Sequence, residues 1–258
     1  MQKLNNGGRR SPAKDIAAVA VMTALLIGGQ LVLSPVAGVE VVTVLLAAFS
    51  FSYGARSGML AATAFSLLRC FLFGFYPTAI VLYLIYYPLF ALVFGLLGIV
   101  KERTYLNFPL WAAVLVNAVI IAVGAGCAVC AATNVIKISR LAAAMVKTLL
   151  WVIFALCCAL IAVFNAVFAL QRRGKCKGGR MLPVTVAAAV AAVCTIFFTL
   201  LDDVITPLFM GWGLFSVTSA TYFYTSFLAM APQTVCAIVT VSTLFLPLVT
   251  IFKKASKI

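Results

Sequence analysis

The stretch Ser66-Leu67-Leu68-Arg69-Cys70-Phe71 places one guanidinium inside an otherwise apolar run. Arginine at the centre of a bilayer costs roughly 2.5–3.5 kcal/mol on insertion scales. Such a residue therefore faces a polar cavity, an ion-pair partner or, by snorkelling, the membrane interface. In a cavity, Arg69 could anchor an anionic group of a small molecule. As an ion pair it could meet Glu40, Asp202 or Asp203, three of only five carboxylates in the chain. Glu40 opens an apolar run, where an acid complements the helix dipole without any further role. Asp202 and Asp203 close one, where the dipole disfavours them and a partner or outside water must compensate. Tyr83, Tyr86 and Tyr87 lie on the next run, preceded by Tyr76. Spacings of seven and four put Tyr76, Tyr83 and Tyr87 on one helical face. Deep phenols need hydrogen-bond partners, and Pro88 withdraws a backbone N–H among them. Aromatic faces with a few polar groups suit a bound small molecule; core packing is the other use of the same residues.

Other chemistries find less support. Eight cysteines (Cys70, Cys127, Cys130, Cys157, Cys158, Cys176, Cys194 and Cys236) lie mostly in apolar runs, where a free thiol behaves as a small hydrophobe. Only Cys127-Ala-Val-Cys130 has redox-like spacing. The chain has no histidine, which removes the commonest general base and metal ligand. No catalytic residue, metal or cofactor is expected, and the chain does not read as an enzyme. Arg173-Gly174-Lys175-Cys176 lacks both the leading glycine and the following Ser/Thr of a phosphate-binding loop. Active transport would have to borrow an ATPase.

The elements that position these residues follow from composition. Of 258 residues, 65% are hydrophobic and only 9% charged, with a mean hydropathy of +1.19. That balance excludes an ordinary soluble domain and indicates a polytopic membrane protein. Apolar runs cover about 15–33, 38–54, 57–75, 77–100, 108–133, 147–170, 181–206 and 231–252, eight candidates where a span needs about 20 residues. Backbone groups in lipid must bond internally, and no barrel-like alternation is present, so the runs predict helices in one all-α membrane domain covering 1–258. The 38–54 and 57–75 runs are short and parted only by Gly54-Ala55-Arg56-Ser57-Gly58.

Charge sets the orientation. Fifteen of nineteen basic residues fall on alternate segments that include the basic tail 1–14 and Lys253-Lys254, so the positive-inside rule predicts that both termini are cytoplasmic. Net charge +14 then reflects topology and attraction to anionic lipid, not nucleic-acid binding. Ser34-Pro35-Val36-Ala37-Gly38 resembles a cleavage site, but a second run begins at once, so an uncleaved anchor is expected. Residues 207–230, with Trp212, Phe215, Tyr222, Phe223 and Tyr224, read as an outer cap or lid. Val135–Lys147 reads as a helix lying in the outer interface. Ala17, Ala20 and Ala24 form a small-residue strip on the first run, either a docking face or an internal packing face.

Several motifs in order carry a family resemblance. A basic tail leads into Asp15-Ile16-Ala17-Ala18-Val19-Ala20-Val21-Met22-Thr23-Ala24. Then come Gly38-Val39-Glu40-Val41-Val42-Thr43, Tyr53-Gly54-Ala55-Arg56-Ser57-Gly58, Phe73-Gly74-Phe75-Tyr76-Pro77, Tyr86-Tyr87-Pro88-Leu89 and Gly95-Leu96-Leu97-Gly98. At the other end Pro232-Gln233 opens a last run closing on Leu246-Pro247-Leu248 and Lys253-Lys254. The chain thereby resembles the substrate-binding (S) component of energy-coupling factor (ECF) vitamin transporters. The resemblance implies a six-helix core, to which residues 108–170 add two inserted helices. It implies capture of a vitamin or similar micronutrient at a prokaryotic plasma membrane. It also implies partnership with a transmembrane coupling (T) subunit and two ATPase subunits, with Ala17, Ala20 and Ala24 at the coupling contact. Taken with the residue reading, the expected substrate-binding set is Glu40, Arg69, Tyr76, Tyr83, Tyr87, Asp203, Tyr222 and Gln233. The rival readings are an ion-coupled secondary carrier, for which no internal repeat is found, and a membrane thiol oxidoreductase using Cys127 and Cys130.

Overall fold

A computed structural model describes residues 12–35, 41–99, 109–132, 140–173, 181–213 and 216–256. The described residues form eight α-helices: α1 Pro12–Leu33, α2 Val42–Tyr53, α3 Ala55–Phe73, α4 Pro77–Ile99, α5 Leu110–Ala132, α6 Arg140–Arg172, α7 Met181–Phe209 and α8 Val217–Ala255. The chain is an all-α bundle, as its apolar runs require. Seven of the helices are long and apolar enough to cross a membrane.

The eighth, α2, is apolar but shorter. Helix α2 has 12 residues, about 18 Å of rise against a hydrocarbon core of about 30 Å. Gly54, at φ 91°, stops it in a conformation that residues with a Cβ rarely adopt. Hydropathy alone does not register that stop. What α2 lacks in length it makes up in enclosure: eight of its twelve residues are buried, and α1, α3, α4, α7 and α8 all touch it. By contrast, α1 buries only Met22, Thr23 and Leu26.

Small side chains bring these helices together. Ala47, Ala48, Ala61, Ala62, Ala91 and Ala191 are fully buried in the main core, where a short side chain lets backbones approach and gain dispersion contact. One close approach is at a corner where α2 ends and α3 begins. A Cβ added at Gly95 of α4 would land on the Ala55 backbone, and one at Gly98 on the Phe51 carbonyl. Phe252, near the end of α8, lies edge-on to Phe49 at 5.9 Å and to Tyr53 at 6.5 Å, and Lys253 Nζ sits 5.6 Å from the Phe51 ring. The ends of α2, α4 and α8 therefore share one level with the start of α3. From that level α3 and α4 run antiparallel: Phe65 meets Tyr87 at 5.1 Å, and Ser66 Oγ donates to the Tyr83 carbonyl at 3.0 Å.

The expected insertion is α5 and α6, stitched by a reciprocal amide pair. Asn117 Nδ2 donates to Asn165 Oδ1 at 3.1 Å and Asn165 Nδ2 to Asn117 Oδ1 at 2.9 Å. Each amide gives its other proton to its own helix, at the Ala113 and Ile161 carbonyls. Two expected boundaries shift. Residues 140–147 begin the 33-residue α6 rather than a separate surface helix, while 135–139 lie outside the described residues. Residues 217–230 are the first turns of the 39-residue α8.

Gly95→Ala and Gly98→Ala should each lower the thermal midpoint of the detergent-purified protein, by an equivalent of about 1–3 kcal/mol of overpacking. Gly126→Ala, where an added methyl meets nothing within 4 Å, should leave the midpoint unchanged or slightly higher.

Candidate functional site

Arg69 lies in the last turns of α3, at the end of the bundle away from the glycine corner. Its guanidinium carbon stands 3.8 Å from the centre of the Tyr83 ring and 5.2 Å from that of Phe73. The negative face of an aromatic ring attracts a cation, more strongly when water is excluded. Arg69 Nε is nevertheless buried with no hydrogen-bond partner. No ion pair joins Arg69 to Asp202 or Asp203 among the described residues, which corrects that pairing, and Glu40 lies outside the described residues.

Tyr83 belongs to an aromatic wall. It stacks on Tyr87 at 5.1 Å, one helical turn on. Phe198 of α7 meets Tyr83 at 5.7 Å and Tyr86 at 4.8 Å, both edge-on. Tyr86 and Tyr87 are buried, and Tyr83 is partly so. The spacing rule thus holds for Tyr83 and Tyr87. Tyr76 is 63% exposed and precedes α4, so it does not join them. Pro88 sits inside an unbroken α4.

One turn beyond Phe198, α7 carries Asp202 and Asp203, and both turn toward α8. Asp202 accepts from Thr206 Oγ1 and from the Tyr222 hydroxyl, each at 2.8 Å. Asp203 Oδ1 accepts from Ser226 Oγ at 2.6 Å, while its Oδ2 is buried without a partner. Trp212 lies 6.2 Å from the Tyr222 ring, near edge-on. The geometry brings Asp203 and Tyr222 together on one helix pair and leaves Gln233 farther along α8, half-buried.

Ala17, Ala20 and Ala24 are all exposed on one face of α1, opposite Met22 and Leu26, which are buried. Gly28 continues that face with nothing within 4 Å of an added Cβ. The alternative of internal packing does not describe these alanines. Cys127 is half-buried; the side chain of Cys130 lies outside what is described. A cavity of about 20 Å³ lies among α5–α8, lined by residues including Ile153, Cys157, Ala189 and Ile238. It has room for about one water and is apolar, so it is no vitamin-sized pocket.

No family model, curated protein or solved structure matches this chain. The site therefore stands on its own geometry. Sequence reading missed Phe198, Thr206 and Ser226. Thr206 was within reach of inspection, because it follows Asp202 by four residues on one helix. Ser226 was not, because its role depends on α8 beginning at Val217.

Tyr222→Phe removes the phenolic donor to Asp202 Oδ2 while retaining the ring. The thermal midpoint should fall by an equivalent of about 1–3 kcal/mol, the range for stranding a buried acceptor.

Proposed function

We propose that this chain is the substrate-binding membrane subunit of an ECF-type transporter, capturing a vitamin or similar micronutrient from outside for ATP-driven uptake. Its partners would be a T subunit and two ATPase subunits in a prokaryotic plasma membrane. The observation that carries this reading is the open strip of α1, where Ala17, Ala20 and Ala24 point away from the bundle. Small side chains lose little entropy on docking and admit another helix closely. They sit on a helix whose opposite face anchors it to α3.

Arg69 and its aromatic wall support the solute end of the reading. A buried N–H lacking an acceptor is destabilising until something supplies one, and an anionic or carbonyl group of a solute would do so. Tyr83, stacked between the guanidinium and Tyr87, holds Arg69 in place for that group. The surplus of basic residues on alternate segments supports cytoplasmic placement of both termini.

Mass spectrometry of small molecules co-purifying with the protein identifies a ligand for titration. With it, Ala20→Leu combined with Ala24→Leu should abolish uptake by the assembled transporter and leave ligand affinity within twofold. Equal loss of both activities overturns the docking role. Ion-gradient-driven uptake by the purified chain alone, in sealed vesicles, overturns the whole reading. Reporter fusions at Met1 and at Ile258 should both report the cytoplasmic side; opposite sides would mean that α2 and its flanks do not complete a crossing.

A further inference from the structure

We propose that Asp203, with its neighbours on α7 and α8, forms a binding site for a single positive charge. A count of hydrogen-bond donors carries the argument. Asp202 and Asp203 present four carboxylate oxygens, and the described side chains around them supply three hydroxyl protons. Thr206 and Tyr222 give theirs to the two oxygens of Asp202. Ser226 has one proton and two acceptors in reach, Asp203 Oδ1 at 2.6 Å and the Phe223 carbonyl at 2.8 Å. Asp203 Oδ2 has none. Asp203 is only 9% exposed, so water does not compensate freely. Pro207 lacks the N–H that would meet the Asp203 carbonyl in a regular helix, so a second oxygen of the same residue is short of its usual donor. Neither carboxylate meets a basic side chain among the described residues.

An uncompensated buried carboxylate is strongly unfavourable. A cation beside Oδ2 removes that deficit, with the Asp203 carbonyl and the Ser226 oxygen as further ligands. Oxygen donors of this kind suit either a dehydrated alkali cation or a primary ammonium group. The two sources share one chemistry. The ammonium source rests on the solute-binding reading above; the alkali source does not.

Full-length protein purified in detergent with choline chloride as the only salt provides the test. Sodium chloride and methylammonium chloride are titrated in separately at constant total chloride. At least one should raise the thermal midpoint saturably, and Asp203→Asn should abolish that rise. Sodium alone acting identifies the alkali source, and methylammonium alone the ammonium source. Should Asp203→Asn fail to fold, equilibrium binding of radiolabelled sodium and methylammonium to the unaltered protein answers the same question, with about one site per chain expected. A rise that survives Asp203→Asn overturns the proposal. So does no response to either cation, or a variant more stable than the parent in every salt, which is the behaviour of a carboxyl that carries its own proton. None of these outcomes touches the α1 docking strip, whose failure shows only in the Ala20/Ala24 variants.

Discussion

The approach of α4 to the corner between α2 and α3 sets the register on which the remaining architecture depends. Residues 95 and 98 have no side chain, and the Ala55 backbone and Phe51 carbonyl occupy the space that side chains would need. With that end fixed, α3 and α4 run antiparallel to meet again at Ser66–Tyr83 and Arg69–Tyr83. Tyr83, Tyr86 and Tyr87 then receive Phe198, which fixes the level of α7. One turn on, Asp202 and Asp203 meet hydroxyls of α8. A shift of a single residue in the glycine corner would carry about 1.5 Å along this series. That is enough to take a 2.6 Å hydrogen bond out of range.

The apolar runs made the helices legible, because a bilayer leaves the backbone no other way to bond. Their lengths were less so. Helix α2 sits in an apolar run that reads as a span, yet it has only 12 residues and eight of them are buried. Its end is decided by the backbone angle at Gly54 rather than by polarity. Arg69 was legible as an anomaly, since one charge in an apolar run has few explanations. Its stacking on Tyr83 required knowing that α3 and α4 are antiparallel with a short connection. The hydroxyls around Asp202 and Asp203 were hidden by a misplaced boundary. Pro232 suggested where a helix begins, yet the helix starts at Val217. Tyr222 and Ser226, which read as part of an outer cap or lid, therefore pack along α7.

Helices α5 and α6 obey a different logic. Among the described residues their clusters around Ile153 and Phe164 are small, and the reciprocal Asn117–Asn165 pair satisfies all four amide protons. In lipid, apolar side chains gain little by leaving hydrocarbon for a helix interface, so packing and such polar pairs carry association. The amide pair thus ties the two helices directly to each other.

Arg69 and Asp203 carry opposite charges in the same half of the bundle, and the fold keeps them apart. Attraction between unit charges grows several-fold as water is excluded, so direct pairing would relieve both. Instead Arg69 is held against Tyr83 and Phe73, Phe198 packs on the far side of the aromatic wall, and Asp203 turns away toward Ser226. Each side chain retains one buried atom without a partner. Structural ion pairs are arranged to leave no such remainder, because a stranded charge is worth several kcal/mol of instability. Under the two proposals above, these unpartnered atoms are where each group would meet a partner of its own.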